Sequence, residues 1–171
     1  MMRRFLKRGG ALLLLFILLL GTGCSSNQDD KTEKTFTSNG FSLSLPSNYS
    51  VVNQQGATSS FEGPRVAVTA LKEPFALLLE KGITAESSLS DYATAVLQAN
   101  NMNDVTFESS EEGNYVFCSY PATSDGDEFF VLGVMVKGTD AFWTCNFICR
   151  TENRSAYETK FHEWAKSIQI D

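Results

Sequence analysis

Histidine occurs once in the 171 residues, proline and cysteine four times each, and no unbroken apolar run exceeds Ala11 to Leu20. A single histidine excludes the two-histidine zinc signatures, since His162-Glu163 has no second histidine four residues on. The Gly-x-Ser-x-Gly elbow is missing, so a serine hydrolase has no recognisable nucleophile. Gly-rich phosphate loops are missing too, because Gly9-Gly10 and Gly21-Thr22-Gly23 both lie in the leader described next. An apolar run of ten residues rises roughly 15 Å as a helix, about half of a hydrocarbon core. What is present, 43% hydrophobic and 20% charged side chains, is ordinary globular composition.

Charge is unevenly spread. The first 23 residues hold Arg3, Arg4, Lys7 and Arg8, four of the 14 basic side chains, and no acid; the remainder has ten bases against twenty acids, a net charge of −10. That balance repels polyphosphates and disfavours nucleic-acid binding.

Met1 to Gly10 is a basic segment, Ala11 to Leu20 is apolar, and small residues follow. This order reads as a secretory signal over residues 1–23 rather than a spanning helix. The run Leu20-Gly21-Thr22-Gly23-Cys24-Ser25-Ser26 resembles the lipobox of bacterial lipoproteins, with Gly21 where leucine is usual and Leu20 one place earlier. The resemblance implies a diacylglycerol on the Cys24 thiol and cleavage between Gly23 and Cys24, leaving a palmitate-type lipid anchor at the cell membrane, outside the cytoplasm. Two acyl chains anchor stably where one is marginal. Residues 24–34 continue as a polar stretch with nothing apolar from Ser25 to Lys34, predicting a flexible tether. Ten such residues have an r.m.s. reach of roughly 16–19 Å.

Residues 35–171 read as one α+β domain. Thr35-Phe36-Thr37 and the alternating Phe41, Leu43, Leu45 flank Asn39-Gly40, a tight-hairpin signal; Pro46 ends the second strand, and Tyr49 to Val52 extends it after a turn. Ala57 to Glu62 pairs with Arg65 to Leu71. Leu89, Tyr92, Ala93, Val96 and Leu97 mark one face of a helix, with Ser88 and Asp91 as its capping pair. Phe75 to Lys81 reads as a shorter helix ending at Gly82. Strands follow at Asp104–Ser110, Asn114–Tyr120, Glu128–Lys137 and Ala141–Arg150, and Phe129 to Val136 is apolar on both faces, as a central strand requires. Ser155 and Glu158 predict a capping box for a final helix that buries Tyr157, Phe161, Trp164, Ala165 and Ile168. An antiparallel sheet flanked by helices accommodates all of these.

The run from Asn39 to Tyr49 (NGFSLSLPSNY), with the strand Trp143–Arg150, the stripe Tyr157, Phe161, Trp164 and the exit Ser167-Ile168-Gln169-Ile170, resembles PsbP-like domains, which share a fold with the Ran-binding Mog proteins. The likeness covers residues 35–171. It implies an α/β/α sandwich and a role as an assembly or protein-binding module; no functional residue carries over with it, and export removes Ran as a partner.

Beyond Cys24 three cysteines remain. In a meander, Cys118 and Cys149 lie two strand steps apart, about 9.6 Å, and Cys145 and Cys149 lie about 13 Å apart along one strand; disulfides want Cα atoms within about 7 Å. Three buried, reduced thiols are expected. Asp125, Asp127 and Glu128 cluster at a hairpin tip and are the weak candidates for a divalent cation, against a solvated turn; Glu108, Glu111 and Glu112 are read as solvated in the same way. His162 is expected half-exposed beside the buried stripe. The leading reading is a lipid-anchored envelope protein that binds or helps assemble another component, without cofactor or catalysis. The alternative is a small-ligand or divalent-cation carrier.

Overall fold

The computed structural model describes residues 28–171. The leader 1–23, the Gly23–Cys24 bond and Cys24 itself lie outside the described residues.

Backbone chemistry at the turns sets the strand pairing. Asn39 (φ 50°) and Gly40 (φ 81°) both take the left-handed conformation that a two-residue hairpin requires, and they join β1 (Glu33–Ser38) to β2 (Phe41–Pro46). Asp125 (φ 52°) and Gly126 (φ 87°) do the same between β7 (Tyr115–Ser124) and β8 (Asp127–Lys137). Gly138-Thr139-Asp140 leads from β8 to β9 (Ala141–Arg150). Between these hairpins lie β3 (Ser50–Val52), β4 (Ser59–Glu62), β5 (Val66–Pro74) and the two-residue β6 (Glu108–Ser109). β10 (Gln169–Ile170) closes the chain.

Among the described residues the strands form two antiparallel sheets, a seven-stranded one ordered β3-β4-β5-β9-β8-β7-β6 and a three-stranded one ordered β1-β2-β10. β9 and β8 run through the middle of the large sheet and are apolar on both faces, because each face is covered. One face carries Trp143, Phe147 and Phe130 into a core shared with β1, β2 and helix α3 (Arg154–Lys166). The opposite face sends Phe142, Val131 and Met135 against α2 (Leu89–Ala99). The helices therefore sit on opposite sides of one sheet, and the architecture is a single α+β domain.

Most elements lie where the pattern of residues placed them. α2 begins at a capping box, in which the Ser88 hydroxyl accepts from the Asp91 amide and the Asp91 carboxylate accepts from the Ser88 amide. The short helix divides into α1 (Phe75–Leu78) and a 3-10 turn to Lys81, stopped by Gly82 at φ 76°. Four expectations need correction. Tyr49–Val52 does not prolong the first hairpin; Ser50–Val52 crosses to the large sheet and pairs with β4. Only Glu108–Ser109 of the expected strand 104–110 pairs, as Asn101 at φ 58° and the turns after it hold the chain off the ladder. Ser155 does not cap α3. A 3-10 turn, Thr151–Asn153, feeds the helix two residues earlier, with Asn153 at the cap position, and Glu158 is held by the Arg154 guanidinium at 2.8 and 3.0 Å. The fourth concerns the stretch read as tether, whose distal part is fastened to the domain.

Candidate functional site

That fastening is built around Asp29. Its carboxylate accepts from the Tyr49 hydroxyl at 3.2 Å and from the Lys160 ammonium at 3.2 Å, and its side chain is only 5% exposed. Burial first, and then the Asp29 charge, raises the Tyr49 phenol far above its ordinary range, so it remains a donor. Burial, with Asp29 beside it, raises the Tyr157 phenol above its ordinary range as well. Asp30 adds two bonds, its amide to Asn48 Oδ1 at 3.1 Å and its carboxylate accepting from Ser47 Oγ at 2.7 Å. Tyr49 itself is wedged edge-on against Trp164, ring centroids 5.8 Å apart, and over Gly63, where any Cβ would meet the ring within 2.6 Å. Residues from both ends of the chain thus clasp the segment leading to Glu33.

A second concavity lies between the β6–β7 turn and α3, with a cavity volume of about 450 Å³. The turn is stiffened by its own hydrogen bonds: the Ser110 amide donates to the Tyr115 carbonyl, the Gly113 amide to the Ser110 carbonyl, and Ser110 Oγ to Asn114 Oδ1 at 2.9 Å. Glu108, Glu111 and Glu112 line its turn side; His162 and Lys166 line its helix side. Tyr115 and Phe117 form the floor, and the His162 ring meets Phe117 edge-on at 4.9 Å. Tyr115 is 7% exposed, its ring packed in the core, and no hydrogen bond among the described residues uses its hydroxyl. Burial, with the Glu112 and Glu111 charges adding to it, raises this phenol above its usual value. Sequence pattern had separated these residues into solvated acids and a half-exposed histidine. Only the antiparallel pairing of β6 with β7, and the packing of α3 across it, brings them to one cleft.

The acidic hairpin behaves differently. Asp127 gives both carboxylate oxygens to Arg150, at 2.8 and 2.6 Å, which draws that acid away from its neighbours Asp125 and Glu128. Among the described residues no group of three His, Cys, Asp or Glu side chains can hold a metal ion. Cys118, Cys145 and Cys149 are buried and free, and burial pushes Cys118 up to about 11 and Cys149 up to about 12. Such thiols carry little thiolate at neutral pH and pack as apolar groups. On the α2 side the buried Glu73 is bonded by the Tyr92 hydroxyl, which also contacts Thr144 Oγ1 at 2.9 Å. Burial raises the Glu73 carboxyl, the Tyr92 bond opposing it.

One apolar feature stands out from this folded surface. Leu77 and Leu79, at the α1 turn, are 64% and 58% exposed, although Leu78 between them is buried.

No family model and no curated protein matches this sequence. Solved structures do. The cyanobacterial PsbP (CyanoP) of Synechocystis aligns with a TM-score of 0.53 at 12% identity, over 89% of this chain and 99% of that one. A protein from Bacteroides thetaiotaomicron aligns at 0.46 and 13% identity over 81% of this chain and 48% of that chain. A Pseudomonas aeruginosa protein of unknown function aligns at 0.44 and 10% identity over 77% and 92%. The agreement with the first, spanning nearly the whole of both chains, shows that this domain has the PsbP-like fold.

Proposed function

We propose that this protein is a bacterial lipoprotein, attached through Cys24 to the outer side of the cell membrane, whose PsbP-like domain binds or helps assemble another envelope component without catalysis of its own. The observation that carries the reading is the Asp29 clasp. It fixes the start of the folded domain five residues beyond Cys24, a separation of at most about 18 Å of extended chain. An anchor there holds the domain close to the bilayer and limits how it can tilt, where an 11-residue free tether would let it wander. The exposed Leu77 and Leu79 support the binding half of the reading, since exposed large apolar side chains in a contiguous turn commonly mark contact surfaces.

Replacing Cys24 by alanine tests the anchor. The variant is expected in the soluble envelope fraction, folded and without metabolic lipid label. A Cys24→Ala protein that stays with the membrane refutes attachment through that sulphur.

A further inference from the structure

We propose that two copies of this chain pair edge to edge through β1, antiparallel about Thr35, so that the three-stranded sheets of both copies become one continuous sheet. The inference goes beyond the anchoring and binding roles and rests on neither.

The β1–β2 ladder fixes which backbone groups are free. The Ser47 amide donates to the Thr32 carbonyl, and the pairing then runs without a bulge from Glu33 opposite Pro46 to Ser38 opposite Phe41. Hydrogen-bonded and non-hydrogen-bonded pairs alternate along an antiparallel ladder, so Lys34, Phe36 and Ser38 direct their amides and carbonyls to β2, as Thr32 does. Those of Glu33, Thr35 and Thr37 point away from it, and they meet no partner among the described residues. Of the strands that border the two sheets, β3, β6 and β10 are three, two and two residues long, whereas β1 has six. Long free edges invite another strand unless they are guarded. β1 has no proline and no bulge, and its one lysine is drawn back over the Phe36 ring, 4.5 Å from the centroid.

Self-complementarity selects a second copy as the occupant. With Thr35 opposite Thr35 of the second copy, Glu33 faces Thr37 and Lys34 faces Phe36, and every outward backbone group of both strands gains a partner. A shift one way sets Lys34 against Lys34. A shift the other way sets Glu33 against the turn residue Asn39, at φ 50°, and loses its bonds. Apolar surface lies on the same flank. Val51 of the edge strand β3 neighbours Phe61 on the face turned to Phe36, yet it is 49% exposed. Beside it, a cavity of about 350 Å³ stays open between Ser38, Asn39 and residues 51–54. A second domain that continues the small sheet past β1 passes over Val51 and closes this flank.

The test is oxidative cross-linking of the full chain, in detergent and in its own membranes, carrying Thr35→Cys or Thr37→Cys. In the proposed register the two copies of position 35 have Cα atoms about 5.5 Å apart, within disulfide range, and the two copies of position 37 about 14 Å apart. Thr35→Cys should therefore form a covalent dimer at least about tenfold faster than Thr37→Cys. Cys118, Cys145 and Cys149 are buried and do not compete. Thr35→Pro removes an outward amide and leaves the β1–β2 ladder intact, so its melting temperature should not rise with protein concentration as that of the native chain does. The inference is overturned by no cross-link at position 35, by equal cross-linking at both positions, by an adduct with a different polypeptide in membranes, or by a native melting temperature independent of concentration. Where Thr35→Pro does not fold, the contrast between positions 35 and 37 decides alone. Both cysteine variants are repeated with Cys24→Ala. The dimer through position 35 should persist there, and its loss overturns the β1 interface, whereas membrane release of the same chain bears on the anchor alone.

Discussion

Replacing Asp29 by alanine removes one carboxylate and strands two donors, the Tyr49 phenol and the Lys160 ammonium. Hydrogen bonds to a charged group contribute about 1.5–3 kcal/mol each when they are buried. The full sum does not apply, because the clasp borders a cavity of about 480 Å³ and Lys160 is 45% exposed, so the stranded groups regain water. A net loss of about 2 kcal/mol is expected. Unfolding entropies near 2.1 cal/mol/K per residue turn that into a drop of about 6–7 °C in melting temperature for a domain of this size. Asp30→Ala is the control: its carboxylate makes one exposed bond, to Ser47, and its loss is expected to cost within about 0.5 kcal/mol. Calorimetry of both variants, with limited proteolysis at residues 28–33, decides the matter. The Asp29 variant should be cut before Glu33 under conditions where the Asp30 variant is intact. Equal melting temperatures and equal cutting would refute the claim that this segment is a fixed part of the domain.

Other expectations follow from the same geometry. Phe161→Ala empties a site walled by Phe130, Phe147, Tyr157 and Trp164 and should cost about 3–5 kcal/mol in urea unfolding; a loss under 1 kcal/mol would contradict the packing. Gly63→Ala drives a methyl into the Tyr49 ring and should cost about 1–3 kcal/mol, with the clasp opening alongside. Burial raises Glu73 in the folded state, so the native protein holds that proton more tightly than the unfolded chain does. Its stabilising contribution is whole at acid pH and lost as pH rises above the ordinary carboxylate range, so Glu73→Gln should flatten that limb of a stability–pH curve. Cys118, Cys145 and Cys149 should resist a thiol reagent until the protein unfolds; rapid labelling of the native state would show an opening that the buried positions do not have.

Residue pattern disclosed most of the framework and little of the site, for a physical reason. Asn39-Gly40, the alternation of Phe41, Leu43 and Leu45, and the Ser88–Asp91 capping pair are local signals, satisfied within one or two turns of chain. The segment Ser50–Val52 carries no local instruction to leave its hairpin; it moves because β4 offers a ladder and β2 is already paired with β1 and β10. β10 was illegible for the same reason, being two residues that gain a partner only after α3 has packed. Ser155 and Glu158 match a cap by spacing, yet Arg154 competes successfully for the carboxylate. Asp29 looked like part of a solvated stretch because its partners, Tyr49 and Lys160, are remote in sequence. Tyr115, Phe117 and His162 meet through the α3 crossing, which no spacing along the chain encodes.

The most direct measurement of the central claim is the intact mass of the protein purified from its own membranes. Attachment through Cys24 predicts a chain beginning at Cys24 and heavier than its residues by a diacylglycerol, with any further mass accounted for by acylation of the new amino terminus. A polypeptide still carrying Met1, or one cut elsewhere and free of lipid, would contradict it.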